Sequence, residues 1–307
     1  MKHVYDDIKD LIGQTPIVRI KRFTLPEGVQ IFAKLESFNP GGSVKDRLGI
    51  ALIRAGEESG QLKPGGTIIE PTAGNTGIGL ALAAVGTGYR VMFVVPEKFS
   101  QEKQQLMRAL GAEVVNTPTS EGIKGAIKKA KELESEVENA YCPQQFQNPA
   151  NPAIHYESTG PEIWEQMDGQ VNVFVAGAGS GGTFMGCARY LKEMNPSIKT
   201  VIVEPEGSIL KGEPGPHKTE GIGMELIPSY MEPSYFDDIH VVTDDEAFRR
   251  VRELSQLEGL LVASSSGAAF SAALREAERA KPGTNIVVIF PDSSERYLSQ
   301  QIYSEEG

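Results

Sequence analysis

The chain has 307 residues, of which 40% are hydrophobic and 23% charged, and it carries a formal net charge of −11. Its length suits one large domain or two smaller ones, and its composition is that of an ordinary globular protein. The acidic balance argues against a nucleic-acid partner, which calls for a basic face. The two cysteines, Cys142 and Cys187, form no CxxC pair and have no flanking histidine. No metal site is therefore expected, and lone thiols fit a reducing compartment. The start, Met1-Lys2-His3-Val4-Tyr5-Asp6-Asp7, lacks the apolar core of a signal peptide. The longest apolar run, within Ile78 to Val85, is too short to cross a bilayer. The expectation is a cytoplasmic protein with no membrane partner.

Along the chain, strands and helices alternate. Val29–Leu35 predicts a strand and Lys45–Ser59 an amphipathic helix. Thr67–Glu70 predicts a strand, Asn75–Val85 a helix, Arg90–Val95 a strand and Gln101–Leu110 a helix. For that last helix Ser100 is the expected N-cap and Gly111 the expected stop. Glu113–Asn116 and Ile123–Leu133 repeat the pair. The segment Pro149-Ala150-Asn151-Pro152 is the best candidate for a domain crossing. Beyond it come a strand at Val171–Ala176, a helix at Gly182–Met194 and a strand at Thr200–Glu204. Glu206–Met231, rich in Gly, Pro and charge, predicts a long loop, and long loops in compact enzymes are often functional. His240–Thr243 predicts a strand, Asp245–Glu258 and Gly267–Ala280 helices, and Asn285–Phe290 a strand. This rhythm implies parallel sheets covered on both faces.

Several βα junctions carry chemistry. Lys45 follows Asn39-Pro40-Gly41-Gly42-Ser43-Val44 and opens a helix. A lysine held in a partly dry site becomes a usable nucleophile and base, although most lysines in a first helical turn are solvated charges. Glu70-Pro71-Thr72-Ala73-Gly74-Asn75-Thr76-Gly77 offers backbone N–H groups and short polar side chains, a pocket for a carboxylate or phosphate or else an ordinary capped turn. Gly177-Ala178-Gly179-Ser180-Gly181-Gly182-Thr183 is a phosphate cradle by composition. It also matches G-x-G-x-x-G, with Glu204 placed as a ribose-binding acid would be, so a nicotinamide-dependent dehydrogenase is the far alternative. That reading leaves the Lys45 and Asn75 loops without a task. Ala263-Ser264-Ser265-Ser266-Gly267 reads as a helix cap, with more serines than capping needs. His217 reads as a solvated loop histidine, and Cys142 as a buried thiol with no paired base.

Taken together, these segments resemble the cysteine synthase and cystathionine β-synthase family, fold-type II pyridoxal phosphate enzymes. Within it the chain is most similar to the short bacterial O-acetylserine-dependent cystathionine β-synthases. The resemblance runs from Leu11-Ile12-Gly13-Gln14-Thr15-Pro16 to Pro291-Asp292-Ser293-Ser294-Glu295-Arg296-Tyr297. It implies two parallel-rich, doubly wound αβα domains of the tryptophan synthase β type, with the active site in the cleft between them. Residues 45–150 would form the smaller domain, and 1–44 with 151–307 the larger. Lys45 matches the Schiff-base lysine and Asn75 the asparagine that bonds the cofactor's 3′-oxygen. Gly179, Ser180, Gly181, Gly182 and Thr183 match the phosphate loop, and Ser265 the residue facing the pyridine nitrogen. Thr72, Thr76 and Gln145 match groups that hold the substrate carboxylate. Ala73 stands where the family usually carries Ser.

The implied cofactor is pyridoxal 5′-phosphate, and the implied reaction is β-replacement through an aminoacrylate. The implied products and substrates are cystathionine, made from O-acetylserine or serine and homocysteine. Cysteine synthase, with sulfide as the nucleophile, is the near alternative. Ending at Gly307, the chain is expected to carry no C-terminal regulatory module, and with no cysteine before Cys142 no N-terminal haem. A homodimer is implied by the resemblance alone.

Overall fold

Runs of Val, Ile, Leu and Phe with no polar interruption, such as Val91 to Val95 and Ile286 to Phe290, cannot leave either face in water. They become strands buried on both sides. In the computed structural model, which describes residues 4–72, 74–97 and 100–304, these runs are the sheet centres. The strands in chain order are β1 (Ile17–Ile20), β2 (Gln30–Leu35), β3 (Thr67–Pro71), β4 (Arg90–Pro96), β5 (Glu113–Thr117), β6 (Ala140–Tyr141), β7 (Val173–Gly177), β8 (Lys199–Pro205), β9 (Asp238–Val242) and β10 (Asn285–Phe290). The helices are α1 (Lys45–Glu58), α2 (Asn75–Ala84), α3 (Gln101–Ala109), α4 (Gly122–Glu136), α5 (Ala150–Ile154), α6 (Gly160–Gln166), α7 (Gly182–Met194), α8 (Asp244–Glu253) and α9 (Ser264–Arg279).

The chain divides into two compact units. The first takes the described residues up to Ile12 together with Asn39–Asn151, and the second takes Gly13–Phe38 and everything from Pro152 onward. Positions 4–12 and 39–44 thus group with the first unit rather than with 151–307. Asp46 ties the 39–44 loop to α1 by accepting the Gly41 N–H at 2.5 Å, and Lys9 reaches the Val85 carbonyl at 2.9 Å. The first unit holds a parallel sheet in the order β5-β4-β3-β6. The second holds the order β1-β2-β10-β7-β8-β9, parallel except for the antiparallel β1–β2 pair. Helices supply the apolar residues that cover these sheets.

The expected strand–helix alternation is present, with Ser100 accepting from the Lys103 N–H at 3.3 Å as the cap of α3. Four features differ from expectation. β1 was not predicted: it is a short edge strand in which only Ile20 is buried, so it shows no period. The expected crossing at 149–152 is where the first unit ends, at Asn151, and the second resumes, at Pro152; what the sequence did not announce is that it also starts a helical stretch, α5, a π-turn over His155–Thr159, and α6. Prolines 149, 152 and 161 disguise it in the sequence, yet Pro152 and Pro161 sit in first turns, where a missing N–H costs little. α8 gives way to a π-turn at Leu254, and α9 begins at Ser264 rather than Gly267. Finally, 206–231 is the long loop expected, but it is tied down internally.

Candidate functional site

Lys45 lies at the first position of α1, half-buried, with its N–H donating to Ser43 Oγ at 3.2 Å. The crossing of α1 with α2 is made by glycines. A Cβ on Gly49 would overlap the Gly79 carbonyl, and one on Gly79 would overlap the Lys45 carbonyl. Backbone therefore touches backbone, and α2 braces the turn that presents Lys45.

Asn75 opens α2, but the cap is Gly74, with no side chain bonding back. The bland reading of Asn75 as a helix cap is thus not realised. Thr72 and Thr76 are buried, and Thr76 Oγ1 donates to Gln145 Oε1 at 2.8 Å. Two stretches nearly seventy residues apart are therefore joined at residues matched to one function. The residue that places Gln145 was missed in the sequence: Glu70, at the end of β3. Its carboxylate accepts the Gln144 N–H at 2.9 Å and the Gln145 N–H at 3.1 Å. Complete burial pushes the Glu70 carboxyl up to about 7, against the two amide donors that pull it down. Asn151 Nδ2 adds a bond to the Gln145 carbonyl at 2.9 Å. Ala73 lies outside the described residues, as do Lys98 and Phe99.

In the second unit, β7 runs into the glycine loop and α7. Gly181 has φ +79°, a conformation that favours glycine, and a Cβ there would strike Met231. A Cβ on Gly179 would overlap the Gly221 carbonyl. The first N–H groups of α7 have no partner within the helix. With the Thr183 hydroxyl they form a cradle that fits a small anion such as a phosphate ester. Behind it, buried His155 places Nε2 3.2 Å from Thr183 Oγ1 and Nδ1 2.9 Å from Thr159 Oγ1. Neither His155 nor Thr159 was singled out in the sequence, where no element was predicted between Pro152 and Val171.

Ser264, Ser265 and Ser266 are all buried and all inside α9, whose N-cap is Ala263 with no side-chain bond. The capping reading of this cluster is therefore corrected. Ser264 Oγ accepts the Glu220 N–H at 3.3 Å, which draws the long loop to the head of α9. Ser265 faces Gly221 of that loop, where a Cβ would lie 3.7 Å from its hydroxyl. The same Gly221 packs on Gly179, so the loop joins the serine end to the phosphate-type cradle.

Glu204 is fully buried, and its carboxylate accepts the Leu210 N–H at 3.0 Å and the Lys211 N–H at 2.7 Å. A carboxylate that staples its own loop is not presented to a ribose, which removes the support for the dinucleotide reading. Burial and the nearby Glu70 charge push the Cys142 thiol up to about 12, so it is no nucleophile. His217 is exposed, with Nδ1 2.8 Å from the Thr219 carbonyl. Asp238, His240 and Glu276 bring ligand-type atoms within 4.8 Å of one another. Lys199 Nζ lies among them, 2.7 Å from Glu276 and 3.3 Å from Asp238. Burial works against the lysine charge, but these carboxylates together hold its pKa up. Lysine thus supplies the cation of this cluster. Among the described residues no helix is long and apolar enough to cross a membrane.

Comparison with known proteins gives the family. The chain is 62% identical over 301 residues to an O-acetylserine dependent cystathionine beta-synthase of Bacillus subtilis, covering 98% of each chain. It is 56% identical to a cysteine synthase of Helicobacter pylori, over 96% of this chain and 98% of that one. The crystal structure of an O-acetylserine dependent cystathionine beta-synthase from Helicobacter pylori superposes with a TM-score of 0.94 at 54% identity, covering 98% of this chain and 99% of that one. The family model described as pyridoxal-phosphate dependent enzyme matches residues 8–292, and the chain belongs to that family.

Proposed function

We propose that the protein catalyses β-replacement on an activated serine, joining O-acetylserine and homocysteine into cystathionine. The observation that carries this reading is Ser265, buried at the head of α9 yet capping nothing. A neutral hydroxyl beside the ring nitrogen of a pyridoxal group need not keep that nitrogen protonated, which suits elimination at Cβ. The choice of O-acetylserine as donor follows the relative at 62% identity, which is named as an O-acetylserine dependent cystathionine beta-synthase. The relative at 56%, a cysteine synthase, supports sulfide as the competing nucleophile.

In this reading the cofactor supplies a sink for the electrons left when the α-proton of the amino acid departs. Lys45 would hold the cofactor, and its amine, once free, would accept the α-proton. Thr72, Thr76 and Gln145 hold the substrate carboxylate. Asn75 would bond the 3′-oxygen, and Gly179 to Thr183 would bind the phosphate through N–H groups and one hydroxyl. Acetate would leave Cβ, the homocysteine sulfur would give up its thiol proton and bond to the same carbon, and the proton held on Lys45 would return to Cα. By its resemblance the enzyme is homodimeric and cytoplasmic.

The test has separate arms. Borohydride reduction and peptide mapping should label Lys45, and Lys45→Ala should abolish turnover. With O-acetylserine saturating, kcat/KM should be higher for homocysteine than for sulfide, and Ala73→Ser should move the preference towards sulfide. A strong preference of the wild type for sulfide would make it a cysteine synthase instead.

A further inference from the structure

His155 stands behind the phosphate-type cradle with a threonine hydroxyl at each ring nitrogen, Thr183 at 3.2 Å and Thr159 at 2.9 Å. His155 and Thr159 are fully buried, and Thr183 nearly so. The contact is built into the backbone: a Cβ on Gly186 of α7 would overlap the Pro152 carbonyl and lie 2.6 Å from His155 Cβ, so glycine lets the turn that carries His155 close on α7. A phosphate ester accepts hydrogen bonds and donates none when ionised. A threonine hydroxyl has a single hydrogen. If Thr183 donates it to His155 Nε2, only lone pairs remain for the anion, and the contact becomes repulsive. If Nε2–H donates to Thr183, the hydroxyl hydrogen is left for the phosphate.

We propose that His155 is a positioning residue for the phosphate loop: its Nε2–H donates to Thr183 Oγ1 and thereby directs the Thr183 hydroxyl hydrogen at the anion. Thr159 completes the chain by donating to Nδ1, which must then be unprotonated in the neutral ring. The anion thus selects the tautomer at one end, and the Thr159 hydroxyl, able to donate or accept, accommodates it at the other. This inference rests on the reading that the Gly179–Thr183 loop binds the cofactor phosphate.

Two measurements test it. In ¹⁵N-histidine-labelled holoenzyme, long-range ¹H–¹⁵N correlations should show the His155 proton on Nε2, and a ring protonated only on Nδ1 would overturn the proposal. Affinities of the cofactor-resolved protein for pyridoxal phosphate and for unphosphorylated pyridoxal then isolate the phosphate contribution. Thr183→Val should reduce the ratio of the two affinities by roughly tenfold, as expected for one hydrogen bond to a charged group. His155→Leu should reduce the ratio similarly, and the double variant no further, while His155→Gln, which keeps an N–H donor, should recover much of it. If Thr183→Val lowers the ratio but His155→Leu does not, the positioning role is wrong and the loop assignment stands. If Thr183→Val leaves the ratio unchanged, the loop assignment fails and the proposal with it. Should His155→Leu not fold, the tautomer measurement and His155→Gln still decide.

Discussion

Gly79 of α2 packs directly on the backbone of Lys45, so closely that any side chain at 79 would overlap the Lys45 carbonyl. The lysine is therefore positioned by the absence of an atom. Gly79→Ala tests this with opposing expectations. Helix propensity alone favours alanine by about 1 kcal/mol. Overpacking against backbone that cannot rotate away costs about 1–3 kcal/mol or more. The expected outcome is net destabilisation in thermal unfolding, with weaker cofactor loading at Lys45. A variant as stable as wild type would show that α1 and α2 can separate without cost.

Glu70 gives a pH prediction. Its carboxyl is raised from the ordinary glutamate range to about 7 by burial. A folded-state pKa above the unfolded value means that the folded protein holds the extra proton. The associated stability is fully present below the unfolded value and is lost as pH rises through about 7. Wild type should therefore lose stability between about pH 4.5 and 7 relative to Glu70→Gln, whose side chain does not titrate. Melting temperatures of both proteins across this window check it, and parallel curves would show that Glu70 stays ionised. Because Glu70 holds the Gln144 and Gln145 amides, Glu70→Gln should also raise KM for the amino-acid donor more than it lowers kcat.

Much of this was legible in the sequence, and the rest was hidden for physical reasons. The apolar runs of β4, β7 and β10 admit few alternatives to buried parallel strands, and the glycine loops announce close approaches. The lysine, asparagine and phosphate-loop segments could be singled out because loops that bind anions need Gly, Ser, Thr and Asn. Glu70 and His155 could not, because each acts through another residue. Glu70 looked like a strand end, and His155 fell in a proline-rich stretch that disguised a helix. The serine cluster was misread for a related reason. Serine before a helical pattern signals a cap, but α9 begins at Ser264 and leaves Ser265 and Ser266 inside its buried first turn.

Glu204 predicts the behaviour of the long loop. Its carboxylate takes two backbone N–H groups at 210 and 211, and the loop then returns to bond Ala178 and Ser264. Removing a buried acceptor leaves those donors unsatisfied at about 1–3 kcal/mol each. Glu204→Ala should lower the melting temperature and speed proteolytic cleavage within 206–231. Neither wild type nor variant should bind NAD saturably at millimolar concentration. Saturable NAD binding lost in Glu204→Ala would restore the ribose-binding role.

Ser265 distinguishes a chemical role from a structural one most directly. It is buried at the second position of α9, bonds no backbone as a cap, and lies beside Gly221 of the loop that also packs on Gly179. Ser265→Ala should therefore leave helix and fold intact, since alanine is the better helix former and no cap is lost. Ser265→Asp places a negative charge at a helix N-terminus, where the dipole favours it, so the fold should tolerate that change too. The two variants should nevertheless diverge in chemistry. An aspartate facing the ring nitrogen holds a proton there and strengthens electron withdrawal, whereas alanine leaves the nitrogen unprotonated and without a partner. The expected result is a shifted cofactor absorption spectrum in Ser265→Asp with slower release of acetate from O-acetylserine. Ser265→Ala should keep a spectrum close to that of wild type and lose activity mainly through weaker cofactor binding. If both variants match wild type in spectrum and rate, Ser265 is only part of the packing at the head of α9.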